Sequence, residues 1–98
     1  MAIPVGYEEV TATTGAAIGL TAATISTLAA TYPDLWVLIN NTAYPAAYLF
    51  YGTPTAATIQ QLAVGDSMQI KGVQLMRAFL AIGIGGSAKY AVNYFSGE

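Results

Sequence analysis

The chain predicts an all-β fold, a small single-domain β-sandwich with jelly-roll or other Greek-key topology, and three observations carry that prediction. Four prolines and ten glycines divide its 98 residues into pieces of about four to ten, too short for a helical domain. Several pieces alternate apolar and polar residues with the period of two that a half-buried antiparallel strand requires. The same pieces are rich in β-branched and aromatic residues and are bounded by turn-forming clusters.

In chain order, residues 1–6 read as an N-terminal arm before a continuous fold from about Tyr7 to Phe95, with no linker or charge block to mark a second domain. Thr11 to Thr31 is ambiguous: its alanines tolerate helix, its threonines favour extended structure, and the balance predicts one or two short strands joined by turns. Asp34 to Asn41 (DLWVLINN) predicts a strand between Tyr32-Pro33-Asp34 and Asn40-Asn41, and Tyr48 to Tyr51 (YLFY) another, closed by Gly52 and Pro54. Ser67 to Lys71 follows the Gly65-Asp66 turn and stops at Gly72. Val73 to Ile82 alternates Val73, Leu75, Arg77 and Phe79 with Gln74, Met76, Ala78 and Leu80. Lys89 to Phe95 alternates Lys89, Ala91 and Asn93 with Tyr90, Val92 and Tyr94. The predicted core is Val37, Ile39, Leu75, Phe79, Ile82, Val92 and at least one of Tyr90 and Tyr94, with no helix beyond about two turns except within Thr11 to Thr31.

Composition excludes most chemistries. Charged residues make up 8% of the chain where a soluble domain has about 25%, so the roughly 5,300 Å² that an isolated monomer exposes is clothed mainly by Ala, Thr, Gly, Tyr and Gln. Lys71, Arg77 and Lys89 are scattered and offer no footprint for nucleic acid. Without cysteine or histidine there is no thiolate, no disulfide, no zinc ribbon and no imidazole, and the expectation is no catalytic residue, no cofactor and no metal. The uncharged stretches Val10 to Pro33 and Leu35 to Gly65 are interrupted by polar residues, so no window approaches the ~20 apolar residues of a membrane span. Glu8 and Glu9 fall where the apolar part of an export signal would run, and none is expected.

Each motif has a bland reading beside the sharp one. Gly83-Ile84-Gly85-Gly86-Ser87-Ala88 fits G-x-G-x-x-A, but ten residues after Ala88 cannot supply the helix and second parallel strand of a dinucleotide site. The segment is predicted to be a glycine-rich hairpin joining the last two strands. Glu8 and Glu9, on a strand, project to opposite faces and do not converge on one ion. Asp34 and Asp66 are turn residues, Asn40-Asn41-Thr42 reads as a polar turn, and no Ser-x-x-Lys spacing exists. Tyr44, Tyr48, Phe50 and Tyr51 lie within eight residues, with Trp36 upstream and no Lys or Arg between Asp34 and Gln69. Such a cluster fills a core or anchors an interface rather than stacking bases.

Over most of the chain a set of segments follows in order: Val10-Thr11-Ala12-Thr13, Gly19-Leu20-Thr21-Ala22-Ala23-Thr24-Ile25, Gly52-Thr53-Pro54-Thr55-Ala56, Val64-Gly65-Asp66, a strand leading to Ala81-Ile82, and Ser87-Ala88 through Val92-Asn93-Tyr94-Phe95. In this order they resemble a group of small tailed-bacteriophage virion proteins with capsid-decoration or related head and tail accessory roles. Members of the group usually carry more charge, with an arginine in the strand before the Gly-Thr-Pro-Thr stretch, and the chain departs from them in having Tyr48-Leu49-Phe50-Tyr51 there. The resemblance brings no catalytic residues. It implies a non-enzymatic β-sandwich subunit of the virion, assembled in the host cytoplasm. Such a subunit is a capsid decoration or cement protein that forms a homo-oligomer, often a trimer, on the major capsid protein, with a tail, neck or fibre-base part as the alternative.

The composition is compatible with that implication, because so little charge suits a surface covered by copies of itself or by a shell. Neither nucleic acid nor membrane is expected as a partner. Tyr44, Tyr48 and Tyr51 are the first candidates for contact, since a phenol combines an apolar face with a hydroxyl, and simple core filling is their other reading. Glu8 and Glu9 could face the shell as a flexible anchor. A more distant alternative, a carbohydrate-binding β-sandwich, would use Trp36 and the tyrosines as stacking platforms and needs Trp36 to face solvent.

Overall fold

A computed structural model describes residues 2–97. Its elements are β1 (Ile3–Ala12), α1 (Ala22–Thr31), β2 (Leu35–Ala43), β3 (Ala46–Phe50), β4 (Gln61–Leu62), β5 (Ser67–Lys71), α2 (Val73–Ala78), β6 (Phe79–Gly83) and β7 (Ala88–Ser96). The all-β expectation holds, with 48% strand against 17% helix. A four-stranded sheet in the order β1-β7-β2-β5 faces a three-stranded sheet in the order β4-β3-β6, and every pairing is antiparallel. Ile18 adds a single antiparallel bridge to Ala81 on the free side of β6.

Counting Ile18 as a rudimentary strand makes the topology plain. β1 pairs with β7, Ile18 with β6, β2 with β5 and β3 with β4. First meets last at every level, so the chain is one long antiparallel ribbon folded over itself, which is the jelly-roll arrangement.

The core lies between the two sheets. Val37 and Ile39 on β2 pair with Tyr94 and Val92 on β7, and all four side chains are buried. The smaller sheet answers with Ala46, Leu62, Phe79 and Ala81. Phe79 is the hub: its ring centroid lies 5.8 Å from Phe50, 5.9 Å from Tyr48 and 6.2 Å from Tyr90, distances at which tilted and edge-on aromatic pairs are favourable. Of the predicted core, Val37, Ile39, Phe79, Val92, Tyr90 and Tyr94 are all buried.

Several expectations are corrected. Residues 3–6 are not an arm but the start of β1, paired with β7 from Ile3 opposite Ser96 onward. Residues 22–31 are helix instead of strands: Ile25, Leu28, Ala29 and Tyr32 recur at helical spacing and turn one apolar face inward, a period that the threonines mask. The helix stops at Tyr32 because the residue before a proline disfavours the α region. Tyr32 N–H still donates to the Leu28 carbonyl at 2.8 Å.

Val73 to Ile82 is not one strand. Gly72, at φ +101°, lets the chain leave β5 sharply, and the next six residues coil into α2. Met76 is fully buried while Leu75, expected in the core, is 38% exposed. Both periods turn Val73 toward the core, so only the intervening residues distinguish helix from strand. Ile82, also expected in the core, is half-buried.

Gly83 to Ala88 is not a hairpin, because β6 and β7 belong to different sheets and the segment carries the chain across the sandwich. Asn40-Asn41-Thr42 is not a turn but part of β2. Asn41 is buried; its amide donates to the carbonyls of Tyr44 at 2.7 Å and Leu62 at 2.9 Å, tying one sheet to the other. The YLFY strand is shifted: β3 begins at Ala46 and ends at Phe50, leaving Tyr51 beyond it.

Two buried tyrosines make stability sensitive to alkali. Burial pushes the Tyr90 phenol up to about 12, helped by the neighbouring Tyr48, and its hydroxyl has no hydrogen-bond partner among the described residues. Burial also raises Tyr94, with the Glu8 hydrogen bond and the Glu8 charge adding to it. An unfolded tyrosine ionises near pH ~10. The folded chain therefore keeps protons that the unfolded chain releases, and the contribution of these two phenols is fully present below that pH and is lost as pH rises from ~10 through the folded values. Urea titrations between pH ~8 and ~12 should show this fall. Tyr90→Phe should make the fall shallower, leaving the part due to Tyr94, without loss at neutral pH, and an unchanged profile in that variant would contradict the assignment.

Candidate functional site

The five residues singled out as contacts do not converge. Glu8 and Glu9 project to opposite faces of β1, as strand geometry requires. Glu8 turns inward, where its carboxylate accepts from Thr21 Oγ1 at 2.5 Å and from the buried Tyr94 hydroxyl. Thr21 sits at the N-cap position of α1 but gives its hydroxyl to Glu8 instead of capping. Glu8 thus pins β1, α1 and β7 together and is not a free tether. Glu9 is exposed on the outer face, with the Tyr7 hydroxyl donating to it at 3.4 Å.

Among the tyrosines, Tyr48 is half-buried against Phe79 and Phe50, so core filling describes it best. Tyr44 and Tyr51 are both exposed. They flank β3 at opposite ends, about 20 Å apart at the rise of an extended strand, so they do not form one patch. Their backbones lie in the left-handed region, at φ 54° and 61°, a conformation costly for a bulky residue.

Other apolar side chains share that exposure. Ile3 and Tyr7 stand on the edge strand β1. Ile59, in the connection between β3 and β4, is 95% exposed. That connection is a built turn: Thr58 Oγ1 accepts from the Thr55 N–H at 2.9 Å, and the Thr55 carbonyl accepts from the Thr58 N–H at 3.0 Å. Ile59 is held out by ordered structure, and the signal for it in the sequence was a lone large apolar residue among Pro, Thr, Ala and Gln.

The outer face of the larger sheet carries a second feature. Pro4, Phe95, Trp36 and Lys71 occupy one row across its four strands. Trp36 is half-buried; its ring stacks on Phe95 with centroids 4.5 Å apart and planes within 16°, and Nε1 donates to the Gly97 carbonyl. Beside it opens a cleft of about 360 Å³, lined by Pro33, Asp34, Trp36, Lys71, Gly72 and Val73 among others. Asp34 and Lys71 are distant in sequence, and only the pairing of β2 with β5 brings them to one place.

Among the described residues no helix is long and apolar enough to cross a membrane, and no group of three or more His, Cys, Asp or Glu could hold a metal ion. Compared with protein-family models, curated proteins and solved structures, the chain matches none. Function is therefore argued from its own surface.

Proposed function

We propose that this chain is a non-catalytic structural subunit of a tailed-phage virion, a decoration or cement protein that acts as a homotrimer on the capsid. The observation that carries this reading is the surface: Ile3, Tyr7, Tyr44, Tyr51, Ile59 and Val64 are exposed on a chain whose charged residues number eight. Large apolar side chains held in water gain free energy when an assembly covers them. Here 5197 Å² is exposed with little charge to keep copies apart. Closed symmetric assembly, burying about 800 Å² per partner, takes part of that area out of water. The order of sequence segments supports the virion as the place of assembly, and a β-sandwich is the kind of subunit that resemblance implies.

Sedimentation velocity is expected to show a trimer, and capsids assembled without the subunit are expected to bind it saturably. Ile59→Asp, at a side chain that touches little of its own fold, should leave the β-sheet circular dichroism unchanged while weakening capsid binding at least about tenfold. A soluble monomer at high concentration that fails to bind such capsids would remove both the oligomer and the decoration role. Binding to isolated tails but not to heads would move the subunit to the tail.

A further inference from the structure

Trp36 is the chain's one tryptophan, and it stands on the outer face of β2 between β7 and β5. Neighbouring strands lie about 4.8 Å apart, and the Trp36 and Phe95 rings face each other at 4.5 Å with nearly parallel planes. The indole therefore stands upright on the sheet, its plane across the strand-to-strand direction. One face is covered by Phe95. The other looks toward β5, where Lys71 is its cross-strand partner, and Trp36 and Lys71 both line the cleft of about 360 Å³. The Nε1 bond to the Gly97 carbonyl engages the one polar atom of the ring and fixes its orientation.

The second observation is where the charges lie. Of eight charged residues in the chain, Asp34 and Lys71 line this same cleft. One is an acceptor and the other a donor, and together they carry no net charge, so the site offers hydrogen bonds of both senses without a field that selects an anion or a cation. Pro33 and Val73 add apolar walls, and the space beside the Gly72 backbone is open. The volume falls within the range of small-molecule clefts, about 300–1,000 Å³.

We infer that this cleft binds one neutral pyranose ring of a glycan. The C–H face of a pyranose is apolar and weakly electropositive, which complements the negative face of an indole. Each hydroxyl both donates and accepts, so neighbouring hydroxyls can give to the Asp34 carboxylate and take from the Lys71 ammonium. The cleft shares no residue with the exposed apolar set behind the assembly reading, so either can fail without the other.

Trp36 reports on the cleft directly, because all tryptophan fluorescence of the chain comes from it. Titration of the whole protein with maltose, cellobiose, lactose and N,N′-diacetylchitobiose is expected to give a saturable emission change with at least one of them, with a dissociation constant on the order of 1 mM. Asp34→Ala and Lys71→Ala should each weaken it at least about tenfold. Lys89→Ala, toward the other end of the same outer face opposite Thr11, should leave it unchanged. Three results would overturn the inference: no saturable change with any of the four sugars up to ~50 mM, equal affinity in the Asp34 and Lys71 variants, or an emission change driven by protein concentration alone. The last would mean that a side chain of a second copy fills the cleft.

Discussion

Gly83→Ala is expected to leave no stably folded protein at 25 °C. A Cβ at this position would lie 2.3 Å from the Gly86 carbonyl oxygen and 2.5 Å from the Ala12 carbonyl oxygen, with the Ala88 nitrogen at 3.1 Å. All three are backbone atoms, one of them at the end of β1, and none can swing aside as a side chain would. Ordinary overpacking costs about 1–3 kcal/mol because side chains yield. Two clashes with backbone carbonyls exceed that, and a loss above about 4 kcal/mol approaches the whole stability of a chain this size, about 5–15 kcal/mol. Gly85→Ala provides the contrast, since Gly85 has φ +75° and open space around it; its cost should be the left-handed penalty alone, about 1–2 kcal/mol. Urea unfolding of the pair decides the matter, and equal losses would show that the close approach at Gly83 is absent in solution.

Phe79→Ala should cost about 3–5 kcal/mol, lowering the thermal midpoint by on the order of 20 °C in a domain of this length. The side chain is fully buried and touches aromatic rings from both sheets, so its removal opens a cavity where the sandwich is held together. Leu75→Ala is the informative partner. An uninterrupted strand would put Leu75 and Phe79 on one face with comparable costs. With α2 in between, Leu75 keeps 38% of its surface in water whereas Phe79 keeps none, and its loss should cost only about 1 kcal/mol. Calorimetry showing comparable destabilisation in both would restore the strand and contradict the helix.

The difference between those two residues also shows what can be read from the chain alone. Strands β2 and β7 were legible because each has one buried face, and burial imprints period two on the residues themselves: Leu35, Val37 and Ile39 inward, Tyr90, Val92 and Tyr94 inward. The opposite directions of Glu8 and Glu9 followed from strand geometry, and the scarcity of charge followed from counting. Tertiary structure alone decided whether 22–31 and 73–78 would coil, since local preferences for helix and strand differ by only a few tenths of a kcal/mol per residue and burial of Ile25 and Met76 outweighs them. It also chose Glu8, not Glu9, as the inward acid by placing Thr21 and Tyr94 around it. The meeting of Asp34, Trp36 and Lys71 lies furthest from what local sequence can express. It depends on the register of β2 against β5, and register is set by the packing of the whole inner face.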